Sequence, residues 1–486
     1  MKKTCTVETI REVIDVQEIV GNYKGMITGL SLDSRDEMIP GWLFFVVSGE
    51  TFDGHDFIDA AIEKGASVIV CERIPEKRAE GVAYIRVSTV RKAMSLVAVV
   101  FHDYPSRTLE IVGITGTNGK TTIATLLFNL YQSMGYKVGL ISTIENRIHD
   151  RILPTRFTTP ETLKLQQLFA GMRDEGCQYC FMEVSSHALS MGRVADIDFD
   201  IAIFTNLTQD HLDYHDTMED YATEKKKLFD GLGGDATAII NSDDQMSEYM
   251  TSDTDAKIIT YGIDTEADHK GVIQIFSLQG TEIELGGVSL HSPLVGRFNV
   301  HNILAIYATA VIHLGVEKSD EIMSHLEMIE RPRGRFEVVE FSTGKVGVVD
   351  YAHTPDAMEK VLETAREVVG EGKLWVILGA GGDRDPGKRP QMGEIAARLA
   401  DHVIITTDNP RGEDPQKIID DILAGIPGER RGNVEIIADR HGAITAGKSS
   451  VQSGDLLLVL GKGHETYQEI EGVRHHFDDR EELLRV

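Results

Sequence analysis

The chain is poor in cysteine and tryptophan and has no long apolar segment. Four cysteines in 486 residues are too few for a disulfide framework. No apolar run approaches the roughly 18 residues of a membrane-spanning helix, and the N-terminus lacks a basic region followed by an apolar stretch. Cys177 and Cys180 form a single C-x-x-C pair, so we favour core thiols over a metal or redox site. We expect a cytoplasmic protein with no membrane partner.

Basic residues are also scarce. Lys and Arg number 49 against 77 Asp and Glu, which gives a formal net charge of −28. A surface of this sign repels nucleic-acid phosphates, so we expect no nucleic acid partner, and any phosphate ligand must be met by local Lys and Arg side chains. With 42% hydrophobic and 26% charged residues the composition is that of a globular protein, and the length predicts about three domains.

The most informative stretch that is present is Gly-Thr-Asn-Gly-Lys-Thr-Thr at 116–122. An apolar run precedes it and a helical pattern follows, which is the strand, loop and helix order of a phosphate-binding loop. The glycines allow backbone N–H groups to face phosphate oxygens at a helix N-terminus. Lys120 is expected to reach the β- and γ-phosphates of ATP, and the Thr121 hydroxyl to ligate magnesium. The predicted nucleotide-binding residues of this loop are Gly116, Thr117, Asn118, Gly119, Lys120, Thr121 and Thr122.

The spacing of this loop departs from the common form by one residue. In G-x-x-x-x-G-K-[ST] the first glycine would stand at 114, where this chain has Ile114. The departure points to a ligase branch more than to a general NTPase. An ordinary glycine-rich turn is the alternative, and the lysine, the hydroxyl and the flanking elements together disfavour it.

Alternating strand and helix patterns predict an α/β fold in three domains. A small N-terminal α/β domain spans 1–103, and a central domain with the phosphate loop and a mostly parallel sheet spans 104–334. A C-terminal doubly wound, Rossmann-like domain spans 335–486. Its continuous apolar runs are typical of strands buried on both faces, and they stand at 346–350, 374–379, 402–406 and 456–460.

Polar, glycine-rich loops follow those four runs, at 351–355, 381–385, 408–411 and 461–465. Because the carboxyl ends of parallel strands meet at one edge of a sheet, the loops are expected to form one ligand-binding rim. The glycines at 379–382 lack the G-x-G-x-x-G spacing, so a dinucleotide site is a weak interpretation.

The central domain has candidate metal ligands and a candidate hinge. Glu183 ends one apolar run and His211 follows another, and both suit a magnesium ion beside the phosphate loop. A helix-capping acid and a hydrogen-bonded histidine are the alternative. Arg331, Arg333 and Arg335 lie in a proline- and glycine-containing joint that is predicted to be the hinge. One of them is expected to face phosphate, with a solvated linker as the alternative.

Four ordered motifs resemble those of the Mur ligases of bacterial cell-wall synthesis: Thr-Gly-Thr-Asn-Gly-Lys-Thr-Thr, Glu-Val-Ser-Ser-His, Thr-Asn-Leu-Thr-Gln-Asp-His-Leu-Asp-Tyr-His and Asp-Asn-Pro-Arg. The resemblance covers nearly the whole chain. It implies three domains that bind a UDP sugar, ATP and an incoming amino acid in turn. It further implies an ATP-dependent ligase that adds meso-2,6-diaminopimelate to the γ-carboxylate of D-glutamate in UDP-N-acetylmuramoyl-L-alanyl-D-glutamate, through an acyl phosphate.

The same resemblance assigns residues to each ligand. The UDP end would be met by Leu32, Ser34, Glu50, Thr51 and Phe52, and the muramoyl-dipeptide by Thr158, Thr159, Ser185 and Arg193. The nucleotide would also be met by Asn302, Arg335, Asp350 and His353. Diaminopimelate would be met by Arg384, Asp408, Asn409, Pro410, Arg411, Gly461 and Glu465. The threonines at 158 and 159 also precede a helical pattern, so helix capping is an alternative role for them.

Lys225 stands where the family carries a carbamylated lysine. It lies in the run Glu224-Lys225-Lys226-Lys227, which alone would be interpreted as a solvated helix face, and the family more often has alanine before that lysine. A carbamate would convert the cation into an anion that can ligate magnesium. The resemblance thus implies the metal ligands Thr121, Glu183, His211 and carbamylated Lys225, the catalytic residues Lys120, Lys225, His211 and Glu183, and a requirement for Mg²⁺ and ATP.

The acceptor is predicted from Asp408-Asn409-Pro410-Arg411, which resembles the signature that selects meso-diaminopimelate over L-lysine. The Arg411 guanidinium can hold the additional carboxylate of the acceptor in a bidentate manner, and L-lysine lacks that group. An L-lysine-adding ligase, a folylpolyglutamate synthetase-like ligase and a nucleotide-switched scaffold are the alternatives. We expect a monomer that acts on small molecules.

Overall fold

The computed structural model describes residues 4–49, 52–212 and 214–485, and over these residues the chain has an α/β fold. The strands are β1 (Val16–Val20), β2 (Gly29–Ser31), β3 (Trp42–Phe45), β4 (Ala66–Cys71), β5 (Ala83–Val87), β6 (Glu110–Thr115), β7 (Val138–Ile141), β8 (Asn146–Ile148), β9 (Arg151–Leu153), β10 (Tyr179–Glu183), β11 (Ile201–Phe204), β12 (Thr237–Asn241), β13 (Lys257–Gly262), β14 (His269–Ser277), β15 (Gly280–Leu285), β16 (Val288–Ser292), β17 (Glu337–Ser342), β18 (Lys345–Asp350), β19 (Leu374–Leu378), β20 (His402–Ile405), β21 (Val434–Ile436), β22 (Leu456–Leu460), β23 (Tyr467–Ile470) and β24 (Val473–His476).

The helices alternate with these strands. They are α1 (Val7–Arg11), α2 (Ile58–Glu63), α3 (Val90–Phe101), α4 (Lys120–Ser133), α5 (Thr162–Glu175), α6 (Ser186–Ser190), α7 (Met218–Asp230), α8 (Ser247–Thr251), α9 (Arg297–Leu314), α10 (Ser319–Glu327), α11 (Pro355–Val369), α12 (Lys388–Leu399), α13 (Pro415–Ala424), α14 (Arg440–Ser450) and α15 (Asp479–Leu484). Within the part of the chain that the structure describes, no helix is both long and apolar enough to cross a bilayer.

The chain divides into two compact units. The first comprises the residues up to Gly113 together with Gly135–Ile201, and the second comprises Ile114–Met134 together with the chain from Ala202 onward. The sequence predicts domain boundaries after residues 103 and 334. The two compact units follow a different division, so these boundaries stay predictions.

The first unit contains a five-stranded sheet in the order β1-β5-β4-β3-β2. All its neighbours are parallel except β1 and β5. Successive strand residues point to opposite faces, so Phe45 packs in one core with Ile10 and Val97, while Phe44 packs in another with Tyr84. The small N-terminal α/β domain is therefore observed as predicted.

A second group of strands follows the order β6-β10-β7-β8-β9 and belongs to the first unit, apart from the last two residues of β6. Strands β7 and β10 are parallel, and β8 and β9 add an antiparallel edge. Cys177 and Cys180 are both buried free thiols, and burial raises the pKa of Cys177 to about 11. The prediction of core thiols is confirmed, because a protonated buried thiol behaves as a small apolar side chain.

The second unit holds the strands β16-β15-β14-β13-β12-β11, of which β12 to β14 are parallel and β14 to β16 form an antiparallel extension. It also holds the six-stranded C-terminal sheet β17-β18-β22-β19-β20-β21, parallel except for β17. Leu362 and Ile418 pack from α11 and α13 with one of its cores, and Ile444 and Leu483 from α14 and α15 with the other. The doubly wound prediction is confirmed.

One element of this unit was not predicted from the sequence. Strands β23 and β24 form an antiparallel hairpin, and a bridge joins Ile470 of β23 to Arg411. The hairpin thus lies against the predicted acceptor loop.

Candidate active site

The phosphate loop joins β6 to α4. Gly116 has φ +142° and Gly119 has φ +91°, in the region that favours glycine. A side chain at 116 would also place its Cβ 1.9 Å from Thr205 Oγ1. Thr205 in turn donates to the Asn118 carbonyl at 2.6 Å, which fixes the loop against the residue that follows β11. Because α4 begins at Lys120, its first turn can present backbone N–H groups to an anion.

Two lysine ammonium groups meet at one carbonyl of this loop. Lys120 Nζ donates to the oxygens of Gly116 at 2.9 Å and Thr117 at 2.7 Å, and Lys225 Nζ donates to the same Gly116 oxygen at 2.8 Å. Lys225 is 1% exposed. Burial, and then the charge of Lys120, lower the pKa of Lys225 well below its ordinary value. Such an amine is poised to lose its proton and act as a nucleophile.

The other lysines of the run on α7 have different surroundings. Lys226 is bound by two carboxylates, one of them that of Asp253 at 2.6 Å. Lys227 pairs with Glu224 at 2.7 Å and is half-exposed. Only Lys225, of these three, lies buried at the phosphate loop, and its carbamylation stays a prediction.

The two predicted metal ligands at strand ends belong to different compact units. Glu183 is buried and accepts from the backbone N–H of Thr143 at 2.7 Å; it does not cap a helix. His211, at φ +55°, lies 3.5 Å from an Asp210 carboxylate oxygen. Among the described residues no three His, Cys, Asp or Glu side chains cluster as a metal site. A threonine hydroxyl such as that of Thr121, phosphate oxygens and a carbamate are other hard donors, and these suit magnesium.

Three of the predicted nucleotide contacts precede α11 in the chain, and a fourth lies on α9. Asp350 accepts two backbone N–H bonds, and burial raises its pKa. His353 Nδ1 donates to the Tyr351 carbonyl at 2.8 Å, and burial lowers the pKa of His353, so the ring is neutral. The Arg335 guanidinium lies 4.7 Å from the centre of the Tyr351 ring. Asn302 is buried on α9, and its amide oxygen packs against Gly119, the second glycine of the phosphate loop.

The three arginines of the predicted hinge have separate roles. Arg331 donates to backbone carbonyls, including that of Pro293 at 2.7 Å. Arg333 pairs with Asp478 at 2.8 Å. The buried Nε of Arg335 has no hydrogen-bond partner among the described residues. Arg335 is therefore the one whose donors suit an incoming phosphate.

Asp356 is a site residue that sequence reasoning missed. Its Oδ2 accepts from Asn118 of the phosphate loop at 2.9 Å, from Thr208 at 3.2 Å and from Lys360 at 3.0 Å. The available signal was an acidic residue after a proline in the first turn of a helix, which usually indicates only favourable helix electrostatics.

The acceptor rim, defined here as the loops at 381–385, 408–411 and 461–465, encloses charged groups. Asn409 Nδ2 donates to Glu465 Oε2 at 2.7 Å, and Lys462 Nζ donates to Asn409 Oδ1 at 3.1 Å. Gly461 has φ +109°, and a Cβ there would lie 2.5 Å from Asp408 Oδ2. The structure thus brings together the predicted Asp408, Asn409, Gly461 and Glu465, and adds the unpredicted Lys462.

The arginines of the rim reach the same region from two loops. Arg411 adopts φ +51°, donates its N–H to the Glu469 carbonyl at 3.0 Å, and directs Nη1 to the Gly382 carbonyl at 2.6 Å. Pro410 packs its carbonyl against Gly382 as well. Arg384 is exposed on the first loop of the rim. Their binding of an acceptor stays a prediction.

The residues predicted for the muramoyl-dipeptide also come together. Thr159 Oγ1 accepts from the Ser185 N–H at 3.0 Å, and Arg193 Nη1 donates to the Thr159 carbonyl at 2.9 Å. Thr158 is hydrogen-bonded to another threonine hydroxyl at 3.0 Å. Helix α5 has Glu161 as its N-cap, without a side-chain cap bond, so neither threonine caps it. The capping alternative is excluded.

The residues predicted for the UDP end lie at strand ends of the N-terminal sheet. Leu32 and Ser34 are half-buried after β2, and Phe52, 53% exposed, follows the parallel β3 and packs edge-on against Phe57. Glu50 and Thr51 lie outside the described residues.

Comparison with known proteins gives a consistent assignment. Residues 26–102 match the model of the Mur ligase family, catalytic domain, residues 114–310 the Mur ligase middle domain, and residues 334–463 the Mur ligase, glutamate ligase domain. The chain is 46% identical over 480 residues, 99% of each chain, to the UDP-N-acetylmuramoyl-L-alanyl-D-glutamate–2,6-diaminopimelate ligase of Phocaeicola vulgatus.

Solved structures extend the comparison. A ligase of the same printed name is 34% identical, with a TM-score of 0.67, and the match covers 99% of this chain and 98% of that one. The folylpolyglutamate synthase of Mycobacterium tuberculosis, complexed with ADP and AMPPCP, has a TM-score of 0.60 and is 18% identical, so it shows the fold alone. That match covers 76% of this chain and 91% of the synthase. On the matched family models and the identity across its length, the chain belongs to the Mur ligase family.

Proposed function

We propose that this chain is the ATP-dependent ligase that joins meso-2,6-diaminopimelate to the γ-carboxylate of D-glutamate in UDP-N-acetylmuramoyl-L-alanyl-D-glutamate. The product would be a peptidoglycan precursor made in the cytoplasm by a monomeric enzyme. The names of relatives that are 45–46% identical over most of the chain support the reaction. The folylpolyglutamate alternative leaves part of the chain without a counterpart.

One observation carries the proposal. The phosphate loop and the acceptor rim lie in the same compact unit, and Asp356 of α11 accepts from both Asn118 and Thr208. Helix α11 follows β18 of the C-terminal sheet directly. The loop that would hold ATP is thus hydrogen-bonded to a helix of the domain that would hold the acceptor, as a coupled transfer requires.

The chemistry has two steps. A carboxylate oxygen of D-glutamate attacks the γ-phosphorus of ATP, and ADP leaves, which gives an acyl phosphate. The neutral amine of the acceptor then attacks the acyl carbon, a tetrahedral intermediate expels phosphate, and an amide remains after the amine loses a proton. Lys120 and Arg335 would neutralise phosphate charge in the first step. The buried, neutral ring of His353 adds no competing charge.

The residues present fit a magnesium site that is completed by modification. An ammonium cannot ligate a metal, but the buried amine of Lys225 has a lowered pKa, so it can add to carbon dioxide and lose a proton to form a carbamate. Thr121, His211 and the carbamate would hold Mg²⁺. Glu183 is a further predicted ligand. When bound, the ion would neutralise charge on the transferring phosphoryl group.

The acceptor and sugar substrates would be held by separate sets of side chains. Arg411 and Arg384 would bind the distal carboxylate of the acceptor, and Glu465 its ammonium. The dipeptide would be bound by three side chains that lie together, those of Thr159, Ser185 and Arg193. The loops that contain Leu32, Ser34, Glu50, Thr51 and Phe52 would meet the UDP end.

The test is an acceptor-dependent ligation assay. Phosphate release from ATP and the mass of the UDP-linked product are measured with UDP-N-acetylmuramoyl-L-alanyl-D-glutamate and, in parallel, meso-diaminopimelate, L-lysine or no acceptor. We expect release and an amide product only with meso-diaminopimelate. Preference for L-lysine would overturn the assignment of Arg411, and phosphate release that ignores the acceptor would favour the nucleotide-switched scaffold. Lys120→Met should abolish release and serves as the inactive control.

A further inference from the structure

A fully buried lysine lies within the acceptor rim, and the chemistry above does not use it. Lys462 is 0% exposed, between two glycines in the loop that follows β22. Burial of an ammonium is costly unless it is paired and hydrogen-bonded. Its partners therefore show what it is placed to do.

Those partners come from two loops and the hairpin. Lys462 Nζ donates to Asn409 Oδ1 at 3.1 Å, to Glu465 Oε2 at 3.2 Å and to the Tyr467 carbonyl, and it lies 3.8 Å from Asp408 Oδ1. Three of these groups belong to residues predicted to bind the acceptor. A single ammonium thus ties the loop after β20 to the loop after β22.

The contacts also determine which way the amide of Asn409 faces. Its Oδ1 accepts from Lys462 and from the Glu469 N–H at 2.9 Å, and its Nδ2 donates to Glu465. Both neighbours of Oδ1 are donors, so the reversed amide would face them with its own donors. The amide orientation is therefore fixed by the network.

We propose that Lys462 is a specificity-determining positioning residue, which holds the Asn409 amide and the Glu465 carboxylate in the orientation that receives the ammonium and carboxylate of an amino-acid acceptor. The inference rests on the proposed function. Lys462 need not touch the acceptor, because it acts through the two side chains that do.

Charge balance supports the same role. Asp408 and Glu465 place two carboxylates beside the single ammonium of Lys462, so the formal charges of the three sum to −1, which matches one ammonium of the acceptor. Burial raises the pKa of Glu465, while Lys462 opposes that rise. The other groups that face Glu465 are Asp408 after β20, Arg440 of α14, which is paired with Asp479, and the phenols of Tyr351 and Tyr467.

The test is a comparison of Michaelis constants across pH. Lys462→Met keeps the length of the side chain and removes the charge. We expect its KM for meso-diaminopimelate to rise about tenfold or more, while the KM values for ATP and the UDP-linked substrate stay within about twofold. When the solution is acidified, the acceptor KM of this variant should begin to rise at a higher pH than that of the wild type. The reason is that Glu465 is protonated more easily without the charge of Lys462. Lys462→Arg should restore much of both effects.

A structural role alone would give a different result. Val459→Ala, in the core of β22 three residues earlier, is the matched control and should lower the Tm without moving the acceptor KM or its pH dependence. If Lys462→Met behaves like this control, the proposal is wrong. If that variant does not fold, Lys462→Gln, which keeps a donor but no charge, must still shift the pH dependence. A wild type inactive with meso-diaminopimelate overturns the proposed function and this inference together, whereas an active wild type with an unaffected acceptor KM overturns only the inference.

Discussion

One fully buried lysine lies against the phosphate loop and another lies within the acceptor rim, in opposite surroundings. Lys225 has a backbone carbonyl as its hydrogen-bond partner and another ammonium nearby. Lys462 has a carboxylate, an amide and a carbonyl as partners, with a second carboxylate at 3.8 Å. The first environment favours loss of the proton, and the second surrounds the ammonium with hydrogen-bond acceptors and carboxylates.

The comparison shows that the neighbourhood, rather than the residue type, decides what a buried lysine does. At the phosphate loop the lowered pKa favours the neutral amine, the form that the proposed carbamylation requires. In the rim the ammonium is a structural charge that organises other side chains. Variants that exchange or remove these surroundings should separate the two roles.

The largest effect is expected at Lys225. Lys225→Ala should lower ligase activity about a thousandfold, because the anion proposed to hold magnesium cannot form. Formate should restore part of the activity by supplying a carboxylate in the space left by the side chain. Ligation assays with and without formate, together with ¹³C NMR of protein equilibrated with labelled bicarbonate, check this.

Lys226 offers the matched control for that experiment. It is the next residue on α7 and is bound by carboxylates, so Lys226→Ala should retain ligase activity and the labelled carbamate signal. A wild-type signal that persists in Lys225→Ala would show that another group is modified.

A second effect concerns the ion pair that supports the rim. Arg440 and Asp479 are both 0% exposed and form two hydrogen bonds at 2.8 and 2.7 Å, while Arg440 also donates to the carbonyls of Thr407 and Leu460. Arg440→Met should lower the free energy of unfolding by about 3–5 kcal/mol, since it leaves a buried carboxylate unpaired. Urea denaturation measures the loss, and Arg440→Met combined with Asp479→Leu should recover part of it. An unaffected stability would mean that the rim does not depend on this pair.

Replacement of Arg411 should change which acceptor the enzyme prefers. Arg411→Leu should reduce kcat/KM for meso-diaminopimelate about thirtyfold, because a charge-assisted bond to the distal carboxylate is lost. The reaction with L-lysine, which has no such group, should change little. Competition assays with both amino acids measure the ratio, and a parallel loss with both acceptors would assign Arg411 to loop structure only.

The smallest effect near neutral pH is a pH dependence of stability from His464. Burial, and then the charge of Arg335, lower its pKa to about 3 in the folded chain, against a reference near 6.5. Above pH ~6.5 both folded and unfolded states have a neutral ring, and as the pH falls toward 3 only the unfolded state binds the proton. Stability is therefore lost on acidification, by at most about 1.4 kcal/mol per pH unit. His464→Gln should flatten the dependence of Tm on pH over that interval, and an identical curve would contradict the buried neutral ring.

Much of the fold could be predicted because its signals are local. The continuous apolar runs of the C-terminal sheet are observed as β18, β19, β20 and β22, since strands buried on both faces need apolar residues at every position. The strand, loop and helix around Lys120 could also be predicted from a local signal, because the glycines and the lysine of the loop are close together in the sequence. The hairpin of β23 and β24 was missed because its strands are short and mostly polar or exposed.

The sites were predicted less completely. The motif at 408–411 predicts a role for Arg411 that stays a prediction, whereas Lys462 and Asp356 could not be singled out, because their partners lie 53 and 238 residues away along the chain. No local pattern distinguishes such residues from a solvated lysine or a helix-start acid. The arginines of the hinge were likewise equivalent in sequence and differ only in what they contact.

By itself, the sequence determined the class of fold, the phosphate loop and the family, because these depend on short motifs and on the periodicity of apolar residues. Only the tertiary structure decided which lysine of α7 meets the phosphate loop, which arginine of the hinge has a donor to offer, and which cation organises the acceptor rim. The physical reason is that the charge and reactivity of an ionisable group depend on its solvation and on nearby charges, and folding brings those neighbours from distant parts of the chain.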